Sequence, residues 1–335
     1  MRIKIGLIQM KSVPLDVKGN LARANLFLKQ AVKEGAELIV LPEMFSIGFQ
    51  TSERLMPLAE KLDQGETISW ARNVARKNNI YVICSLYEYY QDDYYNTMVL
   101  VGPDGNIQYY RKRNPTWMEF IVWRRSEEPG PAIFDTPFGC IGGAICFDSF
   151  AKETFLGFKN NQVSLAVIVA CWGVPQNTRF DLSWSVPMME KWSHSASRTL
   201  PEKYAKQLKI PVVFANQSGM VNFPCVMPPP YPFPKTKFDY KLTGNSSVWD
   251  CSGNLIMDGE EQKEEFAIVI PLEYEEKRTK IINRIGFQAN YLNRSYYYLQ
   301  PPKLAKFGQF WCYKGFKREY SLRKVRCSRQ NGGLS

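Results

Sequence analysis

The sequence predicts an α/β layered fold. Short, strongly apolar runs alternate with segments of helical period, which is the pattern of strands and helices in layers rather than of a bundle or an all-β sandwich. The same grammar occurs in both halves of the chain, so two sheets are expected to face each other within one domain. Across 335 residues, 45% hydrophobic and 14% aromatic residues supply the core between them.

Taken in order, IKIGLIQM reads as a strand, and Asn20 is placed to cap a helix whose Leu21, Ala24, Leu28, Ala31 and Val32 share one face before Gly35 ends it. AELIVLPE is a second buried strand. Ile68, Ala71, Val74 and Ala75 define a second helix leading into IYVICSLYE, and YNTMVLVGPDGNIQYYRK reads as two strands joined by a Pro-Asp-Gly turn. The second half brings GCIGGAICF, a helix from about Phe150 to Lys159, the strand LAVIVA and a long region broken by Pro187 and Pro201. PVVFANQSG and a strand pair in SSVWDCSGNLIM follow, and EFAIVIPL is the last recognisable strand. VNFPCVMPPPYPFPKTKFDY is expected to be an ordered loop, because linkers seldom carry so much apolar surface.

The formal charge of +11 is unevenly placed: from Pro271 onward there are 14 Lys and Arg against 4 Asp and Glu. This basic, aromatic extension is expected to pack on the domain or across a subunit interface, which makes the protein a homodimer or higher homo-oligomer. Nucleic acid is not expected as a partner, because the rest of the chain carries almost no net field. MRIKIGLIQM lacks the long apolar stretch of a signal peptide, and the longest apolar run, around LAVIVACWGV, is too short to span a bilayer. A cytoplasmic protein with no membrane partner is the expectation. The eight cysteines form no CxxC pair, so neither a disulfide scaffold nor a zinc site is suggested, and most are expected to be small buried hydrophobes.

His194 is the only histidine. Every Ser-His-Asp, Cys-His or multi-histidine metal site must use it or be set aside, and its polar setting in KWSHSASRT reads as a surface or cap residue. Three other polar residues each end a strand-like run: Glu43 after LIVLP, Lys112 after IQYYR and Cys146 after GGAI. The carboxyl ends of strands are where ligands gather in α/β sheets, although spacing alone leaves open whether the three meet. Tyr87 and Glu88 also follow a strand and read as a solvated loop.

LPEMF, YRK with Glu119 seven residues beyond Lys112, and GGAICFD, in that order, resemble the glutamate, lysine and cysteine signatures of the nitrilase superfamily of carbon-nitrogen hydrolases. The resemblance extends to the opening strand, YNTMVLVGPDGNI, ACWG, FANQSG and GNSSVWDCSGNLI. It covers residues 1–271 as one hydrolase domain and leaves 272–335 as the extension. It implies an αββα four-layer sandwich, a Glu43, Lys112 and Cys146 triad with Glu119 as a further catalytic residue, and no metal or organic cofactor.

The implied roles suit the chemistry of these side chains. Cys146 would attack an amide or nitrile carbon as a thiolate, favoured by the Lys112 ammonium and by a helix starting just beyond it, while Glu43 takes its proton. Glu43 and Cys146 would share a proton while Glu119 pairs with Lys112. Lys112 and the backbone N–H of Phe147 would stabilise the developing charge, and a thioester on Cys146 would be released by water activated by Glu43.

Many nitrile-cleaving relatives follow the cysteine with Trp-Glu, whereas Phe147 and Asp148 here are closer to the amidase and carbamoylase branches. Phe150 stands where carbamoylases carry an arginine for a substrate carboxylate, leaving Lys152 or Arg179 as substitutes. Trp172, Trp117, Phe150, Asn216 and the aromatic stretch from Phe223 to Tyr240 are the candidates for an apolar pocket. The expected activity is hydrolysis of a small linear amide or N-carbamoyl amine. The alternatives are a nitrilase, an acyltransferase in which an amine intercepts the same thioester, and a lapsed scaffold with a basic tail.

Overall fold

The first strand, β1 (Arg2–Gln9), sets the layers by its alternation. Ile3, Ile5 and Leu7 enter the core between the sheets, while Ile8 faces a second apolar cluster under the outer helices. The computed structural model of the protein describes residues 1–116, 118–177, 186–225, 236–259 and 264–276.

After β1 come α1 (Val17–Lys33), β2 (Leu38–Val40), α2 (Glu66–Asn78), β3 (Tyr81–Tyr90), β4 (Asp93–Val101) and β5 (Ile107–Arg111). The next elements are β6 (Ala132–Thr136), β7 (Gly139–Ile145), α3 (Lys152–Asn160), β8 (Leu165–Ala170), β9 (Gly173–Asn177) and α4 (Val186–Leu208). The last are β10 (Val212–Asn216), β11 (Ser218–Cys225), β12 (Thr236–Thr243), β13 (Ser247–Trp249), β14 (Leu255–Asp258) and β15 (Phe266–Glu273). One six-stranded sheet has the order β15-β1-β2-β3-β4-β5 and the other β14-β13-β10-β8-β7-β6. Their facing sides share one apolar core, α1 and α2 cover the outside of the first, and α3 and α4 cover the outside of the second. The molecule is therefore a four-layer αββα sandwich, as the sequence predicts.

Two glycines bring the layers close to the nucleophile strand. A Cβ at Gly143 would lie 2.5 Å from the Met98 sulfur of the opposite sheet, and one at Gly142 would lie 2.8 Å from the Phe158 ring of α3. The Gly-Gly of GGAICF is thus a close approach on both faces of β7. In register with it, β7 and β8 run parallel as far as Ile145 opposite Val169.

Several expectations are corrected. Asp16, not Asn20, caps α1, accepting from the Gly19 amide at 3.0 Å, while Asn20 lies buried within the helix and ties it to Val13 and Ser46. The region around Pro187 and Pro201 is one helix, α4; Pro187 falls in the first turn, where no N–H partner is required. The supposed aromatic loop contains β11 and β12, which pair antiparallel and join β9 in a third, three-stranded sheet. Residues 226–235 of that stretch lie outside the described residues. Tyr87 and Glu88 are buried rather than solvated, because Glu88 accepts two hydrogen bonds from the Arg111 guanidinium at 2.6 and 2.7 Å and Tyr87 donates to the Val122 carbonyl. Residues 277–335 of the C-terminal extension also lie outside the described residues. No helix among the described residues is long and apolar enough to cross a membrane.

Candidate active site

The carboxyl ends of β2, β5, β7 and β8 bring the site together. Glu43 follows β2, Lys112 follows β5, Cys146 follows β7 and Cys171 follows β8. Met44 and Cys146 both have left-handed backbone, with φ of 53° and 50°. Such strain in a residue with a Cβ persists only where the surroundings enforce it, and both positions flank the cluster. At Cys146 the enforcement is visible. The turn Cys146–Phe150 is held by Ser149, whose hydroxyl donates to the Cys146 carbonyl at 2.5 Å, and by Tyr204, which donates to the Ser149 carbonyl at 2.8 Å. Asp148, buried in the same turn, accepts from the Tyr110 hydroxyl and from the amide and side chain of Asn114. This acid therefore anchors the turn instead of facing the cavity.

Lys112 is fully buried, and its ammonium donates to Glu43 Oε1 and to Glu119 Oε1, each at 2.8 Å. Asn96 donates a second hydrogen bond to Glu43 Oε1 at 2.7 Å, and the Thr116 amide holds Glu119 Oε2 at 2.6 Å. Glu43 Oε2 has no hydrogen-bond partner among the described residues. The Cys146 sulfur and a carboxylate oxygen of each glutamate lie within 4.8 Å of one another. A divalent cation suits such ligands, but here the ammonium of Lys112 already supplies the positive charge between the carboxylates.

Electrostatics refine the expected proton positions. Burial pushes the Cys146 thiol well above its ordinary value, the charge of Glu43 adds to the shift, and Lys112 only partly offsets it. Burial likewise raises Glu119 against the pull of Lys112. For Lys112, burial opposes the charge, yet Cys146, Glu119 and Glu43 together lift it well above the usual lysine value. The expectation that ammonium and helix favour a standing thiolate is thus reversed: a short 3-10 turn follows Cys146, and desolvation outweighs the cation. Alkylation of Cys146 by iodoacetamide is accordingly expected to be slow at neutral pH and still climbing beyond about pH 8.5, the ordinary thiol value. Glu43→Gln removes a negative neighbour, so its labelling profile should move to lower pH. A peptide-resolved rate profile measures both.

A cavity of about 80 Å³ opens on the sulfur, walled by Phe49, Met118, Phe147, Phe150, Trp172, Trp192 and Tyr240, with Thr116, Glu119, Cys171 and Ser193 as its polar edge. Phe150 lies 5.2 Å from Trp172 and 6.2 Å from Trp192, ring to ring. Of the pocket candidates, Phe147, Phe150 and Trp172 line it, as does Tyr240 from the end of the aromatic stretch. Asn216 does not; it is buried behind the wall, where it accepts from the Trp172 amide at 2.7 Å and donates to the carbonyls of Trp172 and Gly244. Trp117 and Arg179 lie outside the described residues, and Lys152 is exposed on α3 away from the lining. Sequence reasoning missed Asn96, Thr116, Cys171 and Trp192. Asn96 sat in a quoted motif, YNTM, without a role, while Trp192 on α4 carries no local signal at all.

The profile of the carbon-nitrogen hydrolase family matches residues 4–274. Over 157 residues, 45% of this chain, the sequence is 36% identical to a nitrilase of Pyrococcus abyssi and covers 58% of it. Over 175 residues, 50% of this chain, it is 32% identical to an omega-amidase of Xenopus laevis and covers 62% of it. The chain thus spans little more than half the length of the curated relatives it matches. A solved carbon-nitrogen hydrolase from Helicobacter pylori G27 superposes with a TM-score of 0.66 at 18% identity, covering 90% of this chain and 96% of that one. With the motifs in order on a matching sandwich, and the family profile running through both sheets, the chain belongs to the carbon-nitrogen hydrolase family.

Proposed function

We propose that this protein hydrolyses the carbon-nitrogen bond of a small neutral amide through a thioester on Cys146. The observation that carries the reading is the Lys112 ammonium, 2.8 Å from both Glu43 and Glu119 in a buried cluster whose third acid is the Cys146 thiol. Glu43 Oε2, with no partner of its own, takes the thiol proton as the sulfur attacks the amide carbon. Charge then develops on the substrate oxygen. An ammonium has three N–H groups, and the one not engaged by the glutamates faces this oxygen together with the Phe147 amide. The C–N bond breaks as Glu43 returns its proton to the departing ammonia or amine. Water, deprotonated by the same carboxylate, attacks the thioester carbon; the acid leaves and the thiol is restored. Glu119 keeps Lys112 oriented throughout, and no step requires an imidazole.

The wall of the cavity selects the substrate class. No Lys, Arg or His occurs among its described lining residues, and Phe150 is packed between aromatic rings. A substrate carboxylate would be desolvated there with no cation to meet it, which disfavours N-carbamoyl amino acids. The enclosed volume is about half of the ~150 Å³ cavity that accepts benzene, so short acyl chains fit best. A four-carbon amide is expected to exceed the same amide ending in a carboxylate by at least about 100-fold in kcat/KM. Steady-state ammonia release reads this ratio, and equal rates would refute a cation-free acyl pocket.

The activity itself is tested by ammonia release from a panel of amides, carbamoyl amines and nitriles, with intact-mass detection of an acyl adduct on Cys146. Release from short neutral amides with that adduct supports the proposal. Turnover of nitriles alone, or none across the panel, overturns it.

A further inference from the structure

One thiol in the cavity has no part in that chemistry. Cys171 follows β8 as Cys146 follows β7, and the two strands are parallel neighbours in register to their last paired residues. Both cysteines line the same cavity. The backbone N–H of Cys171 donates to the Cys146 sulfur, and the Cys171 thiol donates to the Glu43 carbonyl at 3.0 Å. Both sulfurs therefore sit against the same glutamate, one at its carboxylate and one at its backbone.

We propose that Cys146 and Cys171 form a two-thiol site at which hydrogen peroxide closes a reversible disulfide. Adjacent strands lie about 4.8 Å apart. That spacing is within the ~4.4–6.8 Å between Cα atoms that a disulfide spans. A turn of the Cys171 side chain away from the Glu43 carbonyl brings its sulfur toward Cys146. The other described cysteines offer no competitor: Cys84 lies in the core under the outer helices, Cys140 at the far end of β7 and Cys251 in the turn between β13 and β14.

The reaction balances with peroxide as the sole oxidant. Glu43 takes the Cys146 proton, the sulfur attacks one peroxide oxygen, and the O–O bond breaks. The other oxygen leaves as water with that proton, and Cys146 becomes a sulfenic acid. The Cys171 sulfur then attacks the sulfenyl sulfur, its proton departs with the hydroxyl as a second water, and the S–S bond forms. Two thiols are oxidised by two electrons and one peroxide is reduced. The bond removes the attacking sulfur from use and shields it from irreversible oxidation until a dithiol reductant reopens it.

The full chain is treated with hydrogen peroxide, its remaining thiols are blocked with iodoacetamide, and it is mapped as non-reduced peptides. The expected product is a linked Cys146–Cys171 peptide lighter by two hydrogens, which dithiothreitol returns to the starting mass. In Cys171→Ser, Cys146 should instead gain two oxygens as sulfinic acid and resist dithiothreitol. Wild-type protein in which Cys146 reaches sulfinic acid while Cys171 is carbamidomethylated overturns the proposal, and that map decides the matter even if the variant fails to fold. Because mass is the readout, the result is independent of whether the protein hydrolyses amides.

Discussion

Cys146→Ala is expected to lower amide turnover by at least about 10⁴-fold while leaving the protein folded, because no other nucleophile shares the position. The comparison with Cys146→Gly is more informative about how the sulfur is held. Residue 146 has φ of 50°, a conformation that costs a residue with a Cβ about 1–2 kcal/mol. Glycine adopts it freely but loses more backbone entropy on folding, so the net gain over alanine is about 0.5–1 kcal/mol. Both variants should be inactive, and the glycine variant should melt higher. Equal melting temperatures would mean that the turn stores no strain at this residue. Parallel thermal melts and ammonia-release assays supply both readings.

Lys112→Met is expected to combine the second largest loss of rate with a large loss of stability. Methionine fills much of the same volume, so packing is largely kept and the missing charge dominates. Removing the donor to the developing oxyanion costs about 10² to 10³ in kcat. Leaving the two buried carboxylates without their cation costs about 3–5 kcal/mol. The pH dependence has a definite sign. Burial already raises Glu119, and Lys112 is what lowers it. Without the lysine its folded pKa rises further above the unfolded value, so the folded state holds a proton that the unfolded state releases. The variant's stability deficit against wild type should therefore grow as pH rises from the acid range through that elevated pKa. Denaturant titrations at about pH 5 and pH 8 test this, and a deficit that shrinks with pH would contradict the cluster's charge assignment.

The same cluster bears on whether the site is a relic. Burying one ammonium among two carboxylates and a thiol is expensive, and apolar residues of similar volume would fill the space at lower cost. A scaffold would have no physical reason to keep this arrangement.

Much of this architecture was legible because each signal was local. Ile3, Ile5 and Leu7 alternate with inward and outward neighbours, and Ile68, Ala71, Val74 and Ala75 recur at helical spacing, so pattern alone assigns them. Glu43, Lys112 and Cys146 could be singled out because each ends a strand, and the order of their motifs made the juxtaposition specific. What escaped had no local trace. β11 and β12 look like loop because proline and aromatic residues dominate the stretch around them, and only their mutual pairing makes them strands. Asn216 reads as a pocket residue from its position after β10, yet its side chain is spent on backbone groups of Trp172 and Gly244. The resting state of the thiol was misjudged for a related reason. Charges can be counted along a sequence, but desolvation depends on layers that close only in three dimensions.

The glycine pair in β7 has one more consequence. With Met98 on one side and Phe158 on the other leaving no room for a side chain, the strand leading to the sulfur is gripped between two layers. Amide protons of Ala144 and Ile145 should accordingly exchange with deuterium only through whole-molecule opening. Heating would then silence the protein and melt it at one temperature, without a prior stage in which the fold survives and the chemistry has gone.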